Sequence, residues 1–136
     1  MQFAQTVLLL TAVFTASVSC DTLKKPQSEP GFVSWKKKMI ELGQVKKGEK
    51  RTMFYEFTNT SDEAVQIDIV DACYCTTVDF PRGVIEKGKK GRLDVVFDSA
   101  EKDKAETISI NIIFKNTHPN GVPRIEIVEY SFEIAP

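Results

Sequence analysis

Cysteine and histidine are both scarce, three of the one and one of the other in 136 residues. Three cysteines cannot build the dense disulfide framework with which small secreted folds make up for a thin core. A lone His118 leaves a Ser-His-Asp triad to be assembled around a single turn, and no Gly-x-Ser-x-Gly elbow accompanies it. Two thiols and that histidine are a thin ligand set for catalytic zinc. No glycine-rich loop of the kind that cradles phosphate occurs. Neither sign of charge is in excess: 18 Lys and Arg face 19 Asp and Glu, for a net charge of -1. That balance provides no basic field for nucleic acid and no strong attraction to an anionic membrane surface. No apolar run reaches the roughly 20 residues of a spanning helix. No window carries the three-four apolar repeat of an amphipathic helix either.

What is present is 42% hydrophobic and 27% charged residues, an ordinary globular balance and enough chain for one core. The first twenty residues stand apart, without a charged side chain and nearly all apolar from Val7 to Val18. A run of that length, followed by the small residues Ala16, Ser17 and Ser19, reads as a signal peptide over residues 1–19. It ends on Cys20, and Val18-Ser19-Cys20 resembles the bacterial lipobox, with Ser17 where leucine is usual. The resemblance implies that Cys20 carries acyl chains and holds the protein to a membrane. Ordinary cleavage would instead leave Cys20 as a stray thiol or the source of an intermolecular bridge. Residues 20–35, polar and broken by Pro26, Pro30 and Gly31, read as a tether. Its fourteen residues from Asp21 to Ser34 reach at most about 50 Å.

Beyond it, residues 36–136 alternate apolar and polar side chains in short segments separated by turn residues. Met53, Tyr55 and Phe57 share a face, as do Val65, Ile67 and Ile69, and Leu93, Val95 and Phe97. Ile108 to Phe114 and Val128 to Ile134 form the longest such stripes, and Met39–Leu42 and Thr76–Phe80 add two more segments. Seven strands with no crossover helices predict an all-β, immunoglobulin-like antiparallel sandwich, in which each one-faced strand buries its apolar side against the other sheet. Lysine clusters at Lys36-Lys37-Lys38, Lys46-Lys47 and Lys87 to Lys90 read as solvated turns and guarded edges.

Four pieces in order carry a family likeness. They are Gly43-Gln44-Val45-Lys46-Lys47-Gly48-Glu49, Tyr55-Glu56-Phe57-Thr58-Asn59-Thr60-Ser61, Cys73-Tyr74-Cys75-Thr76, and Gly88 to Asp98. Together they resemble the bacterial domain-of-unknown-function family numbered 1573, over roughly Met39 to Phe114. Ser61 and Tyr74 stand where that family usually has glycine. The resemblance implies a secreted immunoglobulin-like domain at the cell envelope and no established activity.

Cys73 and Cys75 are the one chemical candidate. In extended geometry their side chains share a face with Cα atoms about 6.6 Å apart, near the upper limit for a disulfide, so bonding requires a kink. A positive φ at Tyr74 would make that kink costly. A three-residue loop contributes only about 1.6 kcal/mol of loop entropy, so a bridge there is no major staple. The pair reads as structural, as a thiol redox couple, or as a soft-metal (copper) site. Asp94 and Asp98 read as solvent-facing, Trp35 as a cap on one end of the sandwich, and His118 as an exposed turn residue. Asn59-Thr60-Ser61 matches a glycan acceptor by pattern alone. The sequence thus leads to a non-enzymatic envelope lipoprotein anchored at Cys20, with no cofactor and no nucleic acid. Its partner is expected to be another envelope protein, met along an exposed strand edge. Redox or copper handling through Cys73 and Cys75 is the alternative.

Overall fold

The computed structural model describes residues 31–136, and the expectations placed on residues 1–30, Cys20 included, lie outside them. Eight strands form: β1 (Val33–Trp35), β2 (Met39–Val45), β3 (Lys50–Asn59), β4 (Ile67–Asp71), β5 (Thr76–Asp79), β6 (Lys90–Asp98), β7 (Glu106–Thr117) and β8 (Pro123–Ile134). They make two four-stranded sheets, ordered β1-β3-β6-β5 and β2-β8-β7-β4. This is the arrangement of an immunoglobulin constant-type sandwich with its first strand divided between the sheets. That division accounts for eight strands where seven were expected. The added one, β1, comes from the stretch read as tether, where Val33, Ser34 and Trp35 pair with Asn59, Thr58 and Phe57.

Alternation places the core. Tyr55, Phe57, Leu93, Val95 and Phe97 from one sheet meet Ile110, Ile112, Phe114, Val128, Tyr130 and Phe132 from the other, all buried. The sheets lock through aromatic contacts, Phe57 edge-on to Phe114 at 6.0 Å and Phe97 against Phe132 at 4.3 Å. Burying each such side chain contributes about 1.5–3 kcal/mol.

Two expectations are corrected. The sandwich is not wholly antiparallel, because β2 runs parallel to β8, with Met39 opposite Glu129 and Val45 opposite Ile134. No crossover helix is needed, since β3 to β7 lie between these two strands in the chain. A bulge between Glu41 and Gln44 keeps the pairing in step, and Gly43 supplies the positive φ of 68° there. Ile69 does not join Val65 and Ile67 inside. A register shift between Ile67 and Ile69 turns it outward to 54% exposure, and Val70 packs against the core instead.

Candidate functional site

Of the five changes of sheet along the described residues, two join one edge strand to another, β4 to β5 and β1 to β2. On one side β4 ends its sheet and β5 begins the other. Cys73-Tyr74-Cys75-Thr76 forms the corner, a β-turn closed by the Thr76 N–H donating to the Cys73 carbonyl at 2.9 Å. Cys73 and Cys75 are bridged across it, with Cα atoms 5.2 Å apart. Among the described residues no non-glycine residue has a positive φ, so the corner is a turn that Tyr74 enters without the cost foreseen for it. Cys75 is buried and Tyr74 is 81% exposed. The Cys75 sulfur lies 3.5 Å from Thr76 Oγ1 and 3.9 Å from Tyr130 Oη, and those two hydroxyls share a 2.6 Å hydrogen bond. Burial pushes the Tyr130 phenol above its ordinary pKa and Glu106 adds to the effect, while the Thr76 hydrogen bond opposes it. The nearby Lys102 ammonium is committed to Glu106 at 2.8 Å. The Cys75 sulfur therefore sits beside two hydroxyls, and the Cys73 sulfur accepts the Cys75 N–H at 3.1 Å.

The other sequence candidates are scattered. His118 is exposed in the β7–β8 turn, where its backbone N–H donates to the Val122 carbonyl. Asp94 is exposed and ion-paired with Arg92, and Asp98 lies on the surface near Lys50. Among the described residues no group of three His, Cys, Asp or Glu side chains is placed to hold a metal. Asn59 is no glycan acceptor in this fold, because it is fully buried and its amide nitrogen donates to the carbonyls of Glu63 and Ile85. Trp35 packs on Phe57 at 5.0 Å and donates its indole N–H to Glu126 on β8, so it spans the two sheets.

The second crossing, from β1 to β2, leaves something that sequence reading did not localise. β3 is ten residues long and β1 only three, so most of β3 overhangs its neighbour. The last contact on that side is the Lys36 N–H donating to the Glu56 carbonyl. On the opposite side Asn59 directs its N–H to the Lys89 carbonyl, so odd-numbered residues of β3 bond toward β6. The N–H and C=O of Thr52 and Phe54 therefore point outward, with no backbone partner among the described residues. Other edges are blunted. β1 has three residues and β5 four, while β2 and β4 each carry a register shift. The β3 overhang is long and regular, its pairing with β6 unbroken from Lys50 to Thr58, and β8 likewise extends past β2 and β6 past β5. Beside it opens a groove of about 470 Å³, lined by Ile40, Met53, Phe54 and Tyr55 and flanked by Lys36 and Lys37. The signal available in sequence was the lysine run after Trp35. What makes it a site is the unequal length of two paired strands.

The sequence pattern of a family described as a protein of unknown function, DUF1573, matches residues 33–127. No curated protein matches the chain. Among solved structures, the Vibrio cholerae VesB protease superposes with a TM-score of 0.61 at 14% identity, over 76% of this chain and 32% of that one. A protein of unknown function from Porphyromonas gingivalis W83 gives 0.60 at 20% identity, over 76% of this chain and 46% of that one. The ASH/PapD-like domain 7 of human CEP192 gives 0.57 at 14% identity, over 82% and 92%. This chain thus spans about a third of the protease and under half of the Porphyromonas protein, and at such identities the likeness is one of fold. The family match covers most of the described sandwich, both edge-to-edge crossings among it, and the chain belongs to the DUF1573 family.

Proposed function

We propose that this protein is a non-catalytic binding module of the bacterial envelope, held to a membrane by a lipid on Cys20, that adds a strand of another envelope protein to the open edge of β3. The overhang of β3 carries the reading. Two outward-pointing pairs of backbone donors and acceptors, at Thr52 and Phe54, are a template for main-chain hydrogen bonding, and the apolar groove beside them offers side-chain pockets. The apolar run ending at Cys20 supports the location, since a short signal followed by a cysteine is how such proteins are sorted.

The test places a photo-reactive side chain in the native host at Thr52 or Phe54, and at Asp94 on the neighbouring strand as control. The same adduct is expected from the two edge positions and not from Asp94. It should also vanish when Cys20→Ser releases the protein from membranes. Equal adducts from all three positions would remove the edge from consideration. Intact mass of membrane-extracted protein checks the anchor, through loss of residues 1–19 and a gain of acyl chains.

A further inference from the structure

The geometry points to the chemistry of the strand that this edge accepts: an extended segment whose side chains alternate between apolar and acidic. The inference rests on strand addition at β3 and specifies its partner. A strand laid along Thr52 and Phe54 continues the line of β1 beyond Lys36 and turns alternate side chains to opposite faces. On the inner side they enter the groove between the sheets, over Ile40, Met53 and Tyr55. That wall is apolar, with Met53 9% and Tyr55 1% exposed, and the Tyr55 hydroxyl is already spent on the Glu129 carbonyl at 2.7 Å. A polar side chain held against Met53 and Tyr55 finds no free polar group on that wall, so apolar residues are favoured there.

At the mouth of the groove the added strand meets Lys36 and Lys37, which line it together with Phe54. Lys36 and Lys37 are exposed and form no ion pair among the described residues, whereas neighbouring Lys38 is bound to Glu126. The one carboxylate lining the groove, Glu56, is paired with Lys90 at 3.4 Å. Arg92 covers the Phe54 ring at 3.9 Å and is held by Asp94. The free charge along this edge is thus positive, and a carboxylate on each outward position complements it.

Two eight-residue peptides test this, one alternating valine with glutamate and one alternating valine with lysine, each titrated into the full chain while amide hydrogen exchange is followed. The acidic peptide is expected to slow exchange at Thr52 and Phe54. It should bind on the order of tenfold more tightly than the basic one, and lose that advantage in the Lys36→Glu, Lys37→Glu double variant or at high salt. Both substitutions are at exposed side chains, so the fold is retained. Equal binding of the two peptides, with protection at Thr52 and Phe54, overturns the acidic assignment and leaves strand addition standing. Protection of neither amide by either peptide overturns both. Self-association that protects the same amides and is displaced by peptide would give the edge to a second copy of the chain, and also overturns the assignment.

Discussion

Asn59 is buried completely, and each polar atom of its side chain is in use. Its amide nitrogen donates to Glu63 and Ile85 carbonyls at 2.7 and 2.9 Å, and its oxygen accepts from the Ser61 N–H and hydroxyl at 3.0 and 2.7 Å. The residue ends β3 and ties the following turn to the segment before β6. Replacing it with alanine removes four hydrogen bonds from a buried turn, although the Glu63 and Ile85 carbonyls keep the Ser61 hydroxyl and the Val65 N–H, and Asn59→Ala is expected to cost about 2–4 kcal/mol in urea unfolding. Gly91 is a second position fixed by its surroundings. A methyl group built there meets the Phe57 ring and comes within 2.7 Å of Ile85 Cδ1. Gly91→Ala should therefore cost about 1–3 kcal/mol by overpacking, and a thermal midpoint unchanged from wild type would show that Phe57 has room to yield. Neither demand is visible in the sequence, where Asn59 reads as a turn residue and Gly91 as one glycine of a turn.

At the scale of the element, most strands were legible and their partners were not. Period-two alternation marks β3, β6, β7 and β8 because each keeps one face on the core, as in Leu93, Val95 and Phe97. Nothing in that period encodes which strand lies alongside, so the parallel pairing of β2 with β8 and the shortness of β1 against β3 emerge only in space. The bulge that turns Ile69 outward escapes for the same reason, since it shifts pairing without disturbing the pattern of residue types. The open edge makes its own prediction. Thr52 directs its N–H away from β6 and Met53 directs its N–H toward it. Met53→Pro should thus unfold the domain or cost at least ~3 kcal/mol, while Thr52→Pro costs clearly less, as judged by urea midpoints. Equal losses would mean that both faces of β3 are bonded. The cysteine corner is a lesser brace. The Cys73–Cys75 bridge closes a loop of only three residues, so on its reduction stability should fall by no more than about 1.6 kcal/mol and unfolding should stay cooperative.

Taken whole, the molecule carries two phenols whose titration is linked to its stability. Burial raises the pKa of Tyr55, with the charges of Tyr130 and Glu129 adding to it, and burial likewise raises that of Tyr130. Each folded-state value exceeds the ~10 of an unfolded chain, so the folded protein holds these protons more tightly. Their contribution is complete below pH 10 and is lost as pH rises above it. Urea midpoints should fall as pH rises above 10, and Tyr55→Phe should lessen that fall even though it removes the bond to Glu129. A midpoint equally pH-dependent in the variant would assign the loss elsewhere. The parallel pairing of β2 with β8 carries a further consequence, in time rather than in space. Met39 meets Glu129, so one of the earliest strands to leave the ribosome must wait for the last. At about 5–20 residues per second the wait is roughly 5–20 s, during which the nascent sandwich cannot close. Because β8 lies in the interior of its sheet, between β2 and β7, a chain stopped before Pro123 loses no mere edge. It orphans β2 altogether, and the ribosome releases a product with half of its second sheet unjoined.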